Sequence, residues 1–439
     1  MNEDTLGALE RGWLALEGRD TPLHMGVLLY LRPVGEVDEA ALSLARQWQQ
    51  ALPVAPWTWR IERRLGRTPR YAVDGRIDIE YHFRVSALPR PGGERELGEL
   101  VSRLHGKRLD LDRPAWEVHL IEGLRSGPHA GCLAIYLKLH PALLSAGDLR
   151  ELLPRAFGGA HGQSGRAPWE LALPRRGRRR PGRGPLALIG PLQRRLREAL
   201  LSRLPWAGLR RAPASPLNAR INSLRRFATQ HYDRARLARV GARIQASEEE
   251  LLIYLCGSAL RRFFREYNAL PDAPLLALVG DRSRSDGQLS PLFVSLGTQH
   301  AHRRKRLDEI RESLRVARVM VRARGAHSAA VEASVEALPY VLRQLSGLDH
   351  RLAPMFNLAL AHYELPAGAL RVGPHPIEEI YPMPMLLQGA ALAMASAGYG
   401  DTVGVGLCGA RDNLPHLQRI AVYMERALRE LEEEGLDNA

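Results

Sequence analysis

The chain of 439 residues is 45% hydrophobic and carries a formal charge of +14, enough apolar content to bury a full core in two domains or subdomains. Its three cysteines, Cys132, Cys256 and Cys408, stand far apart, which argues against a zinc ribbon or a disulfide framework and fits a reducing compartment. No run approaches the roughly 18 uninterrupted apolar residues of a membrane span, and MNEDTLGALERGW lacks the basic-then-apolar pattern of a secretory leader, so a cytoplasmic protein is expected.

In chain order, Leu6, Leu9, Trp13 and Leu16 are spaced for a short amphipathic helix, and Met25–Leu31 reads as a strand. Leu42, Ala45 and Trp48 mark a second helix and Glu96–Leu104 a third, followed by strands near Glu117–Ile121 and Leu133–Leu139. The periodic pattern then breaks. Residues 175–211 hold twelve arginines against one acid, Glu198, so twelve minus one leaves +11 of the net charge in this window. Only three lysines occur in the whole chain, a bias that coding composition produces without selection for phosphate binding. A solvated basic linker is the first reading, contact with an anionic membrane surface the second, and nucleic acid the least favoured, because Trp206 is the lone aromatic there. Within the stretch, Leu192, Leu196, Leu200 and Leu204 predict an amphipathic helix that covers a groove or lies peripherally on a membrane.

Three segments follow: a first lobe over 1–165, a linker over 166–214 and a second lobe over 215–439. In the second lobe Ser247 and Glu250 form a capping box opening a helix to about Glu266. Strands are expected at Leu275–Val279, Leu292–Leu296 and Thr402–Cys408. A closing helix carries Leu417, Ile420, Met424, Leu428 and Leu431 on one face and stops at Gly435. Both halves mix helices with strands, so the fold class is α/β in the mixed α+β sense.

No nucleophile elbow, Walker loop, dinucleotide fingerprint or H-E-x-x-H is present, and the fifteen histidines lack metal-ligand spacing, so neither a metal nor a cofactor is expected. What remains is the strand end Tyr136-Leu-Lys-Leu-His-Pro-Ala-Leu-Leu-Ser-Ala-Gly147. The surrounding signatures carry a resemblance. Leu104-His-Gly-Lys-Arg-Leu-Asp-Leu-Asp-Arg-Pro-Ala-Trp-Glu117 runs on to Ile121-Glu-Gly-Leu124. Thr21-Pro-Leu-His-Met-Gly26 and Tyr81-His-Phe-Arg-Val-Ser-Ala-Leu-Pro89 precede it. Asn357 in Phe-Asn-Leu, Glu378-Glu-Ile-Tyr-Pro382, Pro384-Met-Leu-Leu-Gln-Gly389 and Arg411-Asp412 follow. Together they resemble the bacterial wax ester synthase/acyl-CoA:diacylglycerol acyltransferase family along nearly the whole chain.

That resemblance implies a two-lobed, CoA-dependent acyltransferase-like fold with a central tunnel and a His-His-x-x-x-Asp-Gly motif at its midpoint. The second histidine of the motif takes the proton of an alcohol as its oxygen attacks acyl-CoA, a task suited to a base titrating near neutrality. The products are wax esters or triacylglycerol. Carried over position by position, His140 takes the first histidine, Pro141 the second, Ser145 the aspartate and Ala146 the glycine. Proline has no titratable side chain. Further departures are Ser290-Pro291 for a Gly-Asn pair, Ala393 for an asparagine and Ala410 for an aspartate. Framework signatures kept while chemical positions turn apolar point to a fold under selection without turnover.

The expectation is therefore a family member with lost or greatly reduced acyl transfer that keeps acyl-CoA or neutral-lipid binding or a regulatory role. The alternative is an active O-acyltransferase with a displaced base. His140 reads first as a hydrogen-bonded structural residue and second as a rescue base. Arg225 and Arg226 read as surface charge or as partners of CoA phosphates, and Asn357 as a substrate residue. Trp13, Trp48 and Trp116 read as packing, and Cys256 as a small buried hydrophobe. Family likeness and the basic helix together suggest peripheral attachment to the inner membrane face or to lipid droplets.

Overall fold

The apolar periodicities resolve into two six-stranded sheets clad by helices. This computed structural model describes residues 6–63, 68–173, 212–281, 290–323, 340–341, 343–344, 353–366 and 368–436. The arginine-rich window and the helix expected over Leu192–Leu204 lie outside the described residues. The first half contains α1 (Ala8–Leu16), β1 (Met25–Leu31), α2 (Val37–Gln50), β2 (Trp59–Glu62), β3 (Arg70–Val73), α3 (Ile79–His82), β4 (Phe83–Ala87), α4 (Glu94–Gly106), β5 (Trp116–Glu122), β6 (Leu133–Leu139), α5 (Ala146–Phe157) and α6 (Gly159–Gln163). The second contains β7 (Arg225–Asp233), α7 (Arg234–Ile244), α8 (Glu248–Glu266), β8 (Leu276–Asp281), β9 (Ser290–Ser295), α9 (Arg303–Ala323), β10 (Leu358–Glu364), β11 (Arg371–Val372), β12 (His375–Met383), β13 (Leu392–Tyr399), β14 (Thr402–Ala410) and α10 (Leu417–Glu434).

One sheet runs β11-β12-β1-β6-β5-β4 and the other β7-β14-β13-β10-β8-β9. β1 and β6 are buried along their whole length, as unbroken apolar runs demand of strands covered on both faces. They pair antiparallel from Met25 opposite Leu139 to Leu31 opposite Leu133. One face of this sheet packs α2, α5 and the indoles of Trp48, Trp57, Trp116 and Trp169. In the second lobe Ser247 caps α8 through the expected box with Glu250, and α10 ends at Gly435 with all five predicted face residues buried.

The expected lobe boundaries need two corrections. Trp169 stacks on Trp116 with ring centroids 5.3 Å apart, so the first core extends past residue 165. More consequentially, β11 and β12 come from the C-terminal half yet join the first sheet, with β12 antiparallel to β1 from Gly26 opposite Met383. No local pattern in 371–383 declares which sheet the segment enters, because strand pairing partners are chosen by tertiary contact.

β12 also lies against β14 of the second sheet. A Cβ on Gly404 would collide with the Ile380 carbonyl oxygen, and one on Gly406 with that of Pro382. Glycine is required at both places by the close approach of backbone. His129 pins β12 from the other side: Nδ1 lies 2.7 Å from Glu94 on α4 and Nε2 3.0 Å from Glu379, with the ring stacked on Tyr30. Phe227 of β7 packs under α4 with Tyr136, Tyr381 and Met383, closing the seam between the lobes.

Candidate active site at the lobe seam

Strand β6 ends at Leu139, and Pro141 prevents the ladder from continuing because it lacks an amide hydrogen. The chain turns instead. The His140 amide donates to the Ala115 carbonyl at 3.0 Å, and the Leu143 and Leu144 amides donate to the His140 carbonyl. Ser145 then caps α5: its hydroxyl accepts from the Asp148 amide, while the Asp148 carboxylate accepts from the Ser145 amide at 2.8 Å. The motif position of Ser145 thus starts a helix, and its neighbour Ala146 lines an apolar slot. Pro141 is buried.

His140 is buried at 1% exposure. Its Nδ1 accepts a hydrogen bond from the Ala142 amide at 3.0 Å. An amide can only donate, so Nδ1 is unprotonated and the ring hydrogen resides on Nε2. Nε2 in turn faces the Glu17 carboxylate at 3.6 Å without a hydrogen-bond partner. Burial would raise Glu17, but His140, the Leu23 amide at 2.5 Å and Arg108 at 2.9 Å outweigh it and hold the carboxyl below its ordinary range. One nitrogen of His140 is therefore occupied and the other already carries a proton. The ring is held as a structural element.

Beside it lies a buried polar group that sequence reading did not assemble. His24 and His140 stand one step beyond the last paired residues, Met25 and Leu139. His24 Nε2 donates to the His105 carbonyl at 2.5 Å, which leaves its Nδ1 as the lone-pair nitrogen. His105 Nδ1 meets the Tyr136 hydroxyl at 2.8 Å. Burial, then the charge of Lys138, pushes both imidazoles down, His105 to about 3 and His24 well below its usual range, so both are neutral. Lys138 donates to the Leu104 carbonyl at 2.9 Å and the Lys107 carbonyl at 2.5 Å, and its Nζ lies 3.5 Å from Glu117. Burial pulls this lysine down to about 8 against the pull of Glu117. His24 and His105 sat within the resembling stretches Thr21–Gly26 and Leu104–Glu117. Nothing in either stretch announced that they touch.

The remaining predicted residues fall differently. Arg225 is not surface charge: it is 4% exposed, with Nη1 donating to the Asn222 and Leu224 carbonyls. Arg226 is half-buried, and its Nε has no partner. Asn357 is fully buried; its Oδ1 accepts from the Leu276 amide at 2.7 Å, and its Nδ2 donates to Pro213 and Asn218. It ties β8 and the start of β10 to residues 213–218 and has no side-chain donor turned to a cavity. Trp48 and Trp116 are buried in the core, while Trp13 only borders it. Burial pushes the Cys256 thiol up to about 12, as befits an inert hydrophobe.

Between the lobes runs a slot of about 500 Å³ of empty space, its open mouth included. Met25, Gly26 and Val27 of β1, Leu149 and Leu153 of α5, and Pro382–Pro384 supply much of its wall. Arg150 is the one charged residue in the lining. Elsewhere, Glu248, His362 and Glu364 are grouped closely enough to hold a cation. That role is already filled, because Arg234 reaches Glu364 at 2.5 Å and Glu248 at 3.3 Å. Among the described residues no helix is long and apolar enough to cross a membrane.

Comparison with known proteins gives this arrangement a lineage. Residues 6–147 match the wax ester synthase/diacylglycerol acyltransferase catalytic domain, and residues 287–432 match the C-terminal domain of the same family. A putative diacylglycerol O-acyltransferase of Mycobacterium tuberculosis is 31% identical over 97% of this chain and 96% of its own length. The chain belongs to the wax ester synthase/diacylglycerol acyltransferase family. An O-acyltransferase of Acinetobacter baylyi is 26% identical over 95% of the chain and 94% of its own length. The structure of a wax ester synthase/diacylglycerol acyltransferase from Marinobacter aquaeolei superposes with a TM-score of 0.79 at 28% identity, covering 98% of this chain and 99% of that one. A condensation domain of the calcium-dependent antibiotic synthetase shares the two-lobed fold at TM-score 0.60 and 16% identity, covering 99% and 97%. Family and fold thus agree with the resemblance.

Proposed function

We propose that this chain is a wax ester synthase/diacylglycerol acyltransferase-like protein in which acyl transfer is lost or greatly reduced, while the slot between the lobes still takes an acyl-CoA or a neutral lipid. The reading is supported by His140, whose Nδ1 accepts from the Ala142 amide and whose Nε2 faces Glu17 at 3.6 Å without a hydrogen bond, beside Pro141, which on the family resemblance takes the place of the base. Loss of a positioned base costs about 10²–10⁴ in rate, or about 3–5.5 kcal/mol of barrier. The test is thiol release from palmitoyl-CoA in the presence of hexadecanol or dipalmitoylglycerol. No release above the protein-free rate is expected, together with measurable binding of hexadecanol. Acceptor-dependent release that disappears in His140→Ala overturns the reading.

A second reading, an active O-acyltransferase with a displaced base, is favoured by one feature. His24 is the imidazole beside the strand end, with its lone pair on Nδ1. Its depressed basicity makes it a poor proton acceptor at neutral pH. Acceptor-dependent turnover abolished by His24→Ala and kept in His140→Ala would establish this reading in place of the first.

A further inference from the structure

Helix α1 lies against the turn that carries His140, and little in its own sequence holds it together. It has nine residues and no basic residue in its last turn, and its N-cap is Gly7, which offers no side chain to the first amides. Helices shorter than about 12–15 residues are marginal in water without tertiary support. Gly12 stands in the middle, where glycine weakens a helix through its backbone entropy. Packing does not require it, because a Cβ at Gly12 would meet nothing within 4 Å.

Tertiary support is correspondingly thin. Among the described residues of α1 only Leu14 is buried. Leu6 and Leu14 join an apolar cluster with Ala115 and Ala142, while Trp13 and Leu16 border one that holds Phe356 and Leu387. All four of these partners lie in loops, two from each half of the chain. Ala115 and Ala142 are also the residues that fix His140: the Ala115 carbonyl accepts from its amide, and the Ala142 amide donates to its Nδ1. Glu17, the C-cap residue of α1, completes the cover. Its carboxylate faces His140 Nε2 at 3.6 Å and accepts from the Leu23 amide and from Arg108.

We propose that Leu6–Glu17 is a lid over the His140 end of the seam, which opens by unwinding α1 while both sheets stay folded. Gly12 lowers the cost of opening, and the Glu17 carboxylate is the latch. The device controls access of solvent and small solutes to the buried imidazole, and it operates whether or not the protein turns over.

Two measurements on the full chain test this. Hydrogen exchange read by mass spectrometry follows opening, and carbethoxylation by diethyl pyrocarbonate, mapped to residue 140, follows access. Residues 6–16 should exchange at least about tenfold faster than β1 and β6, with His140 modified in step. Gly12→Ala should slow both processes about fivefold, the effect of its higher helix propensity. Glu17→Ala should speed both on the order of 10–100-fold, as expected for losing hydrogen bonds to a charged group. Should Glu17→Ala fail to fold, Gly12→Ala still decides, because it adds stability. Exchange of 6–16 no faster than that of β1 means that the helix opens only on global unfolding, and overturns the lid. A variant that changes exchange of the helix but leaves modification of His140 unchanged also overturns it, since α1 then frays without uncovering the site.

Discussion

The two lobes bury their surfaces in opposite styles. The second closes on aliphatic and aromatic side chains from α8, α9 and α10, including Leu260, Leu314 and Leu428. The seam face of the first buries Glu17, His24, His105, Glu117, His119, Lys138 and, from across the interface, Arg225. An apolar core loses stability gradually, one side chain at a time, whereas a buried polar network ties its members together, because removing one leaves another without its partner. Lys138 and Glu117 are tied in this way, as are His140 and Glu17. On the proposed reading, a proline at 141 leaves none of these buried groups without its partner, so the polar scaffold can persist around it.

The contrast is broken or sharpened most by the Lys138–Glu117 pair. Lys138→Met should cost about 3–5 kcal/mol in urea unfolding by leaving Glu117 buried without its cation, whereas Lys138→Met with Glu117→Leu should recover most of that loss. Simple additivity of the two single changes would mean that the pair is not coupled. Leu428→Ala, in the apolar core, should cost about 2–5 kcal/mol whatever is done at the seam.

A smaller effect is expected at His129. Burial pulls its basicity down, but Glu379 and Glu94 overcome it and raise the group to about 9. The folded state therefore holds a proton more tightly than the unfolded chain, whose histidine titrates near 6.5. The resulting stability is complete below about pH 6.5 and is lost as pH rises through 9. With Glu94 partly exposed, the contribution is about 1–2 kcal/mol after allowance for screening. Thermal melts between pH 6 and 10 should show this decline in the native chain and lose it in His129→Gln. Smallest is Ser145→Ala, which removes a helix cap and should cost about 1 kcal/mol in urea unfolding. It should leave hexadecanol binding unchanged, because the hydroxyl faces its own helix and not the slot.

Legibility in the sequence followed the range of the interaction. β1, β6, α8 and α10 were visible because period and caps are local, and their bounds match to within a residue or so. α9 was overlooked although Leu307, Ile310, Leu314, Ala317 and Val321 keep helical spacing; the charge of its other face masked the stripe. β12 was invisible as a member of the first sheet, since its allegiance is decided by β1, some 350 residues away in sequence (Gly26 to Met383). At the site, the departure of residues 140–146 from the His-His-x-x-x-Asp-Gly pattern was plain in the sequence. The neighbours were not, because His24 and His105 meet only through tertiary packing of the first lobe, and Arg225 comes from the second. Arg225 reads in one dimension as surface charge or a phosphate partner and Asn357 as a substrate residue; the fold buries both.

The crossing of β12 has a practical consequence for truncation. A fragment ending in the linker would retain β1 with seven buried residues but without the strand that covers its outer edge. Such an open ladder is a template for intermolecular pairing, so the amino-terminal half expressed alone should precipitate or oligomerise. Appending residues 371–383 in trans would be the minimal remedy.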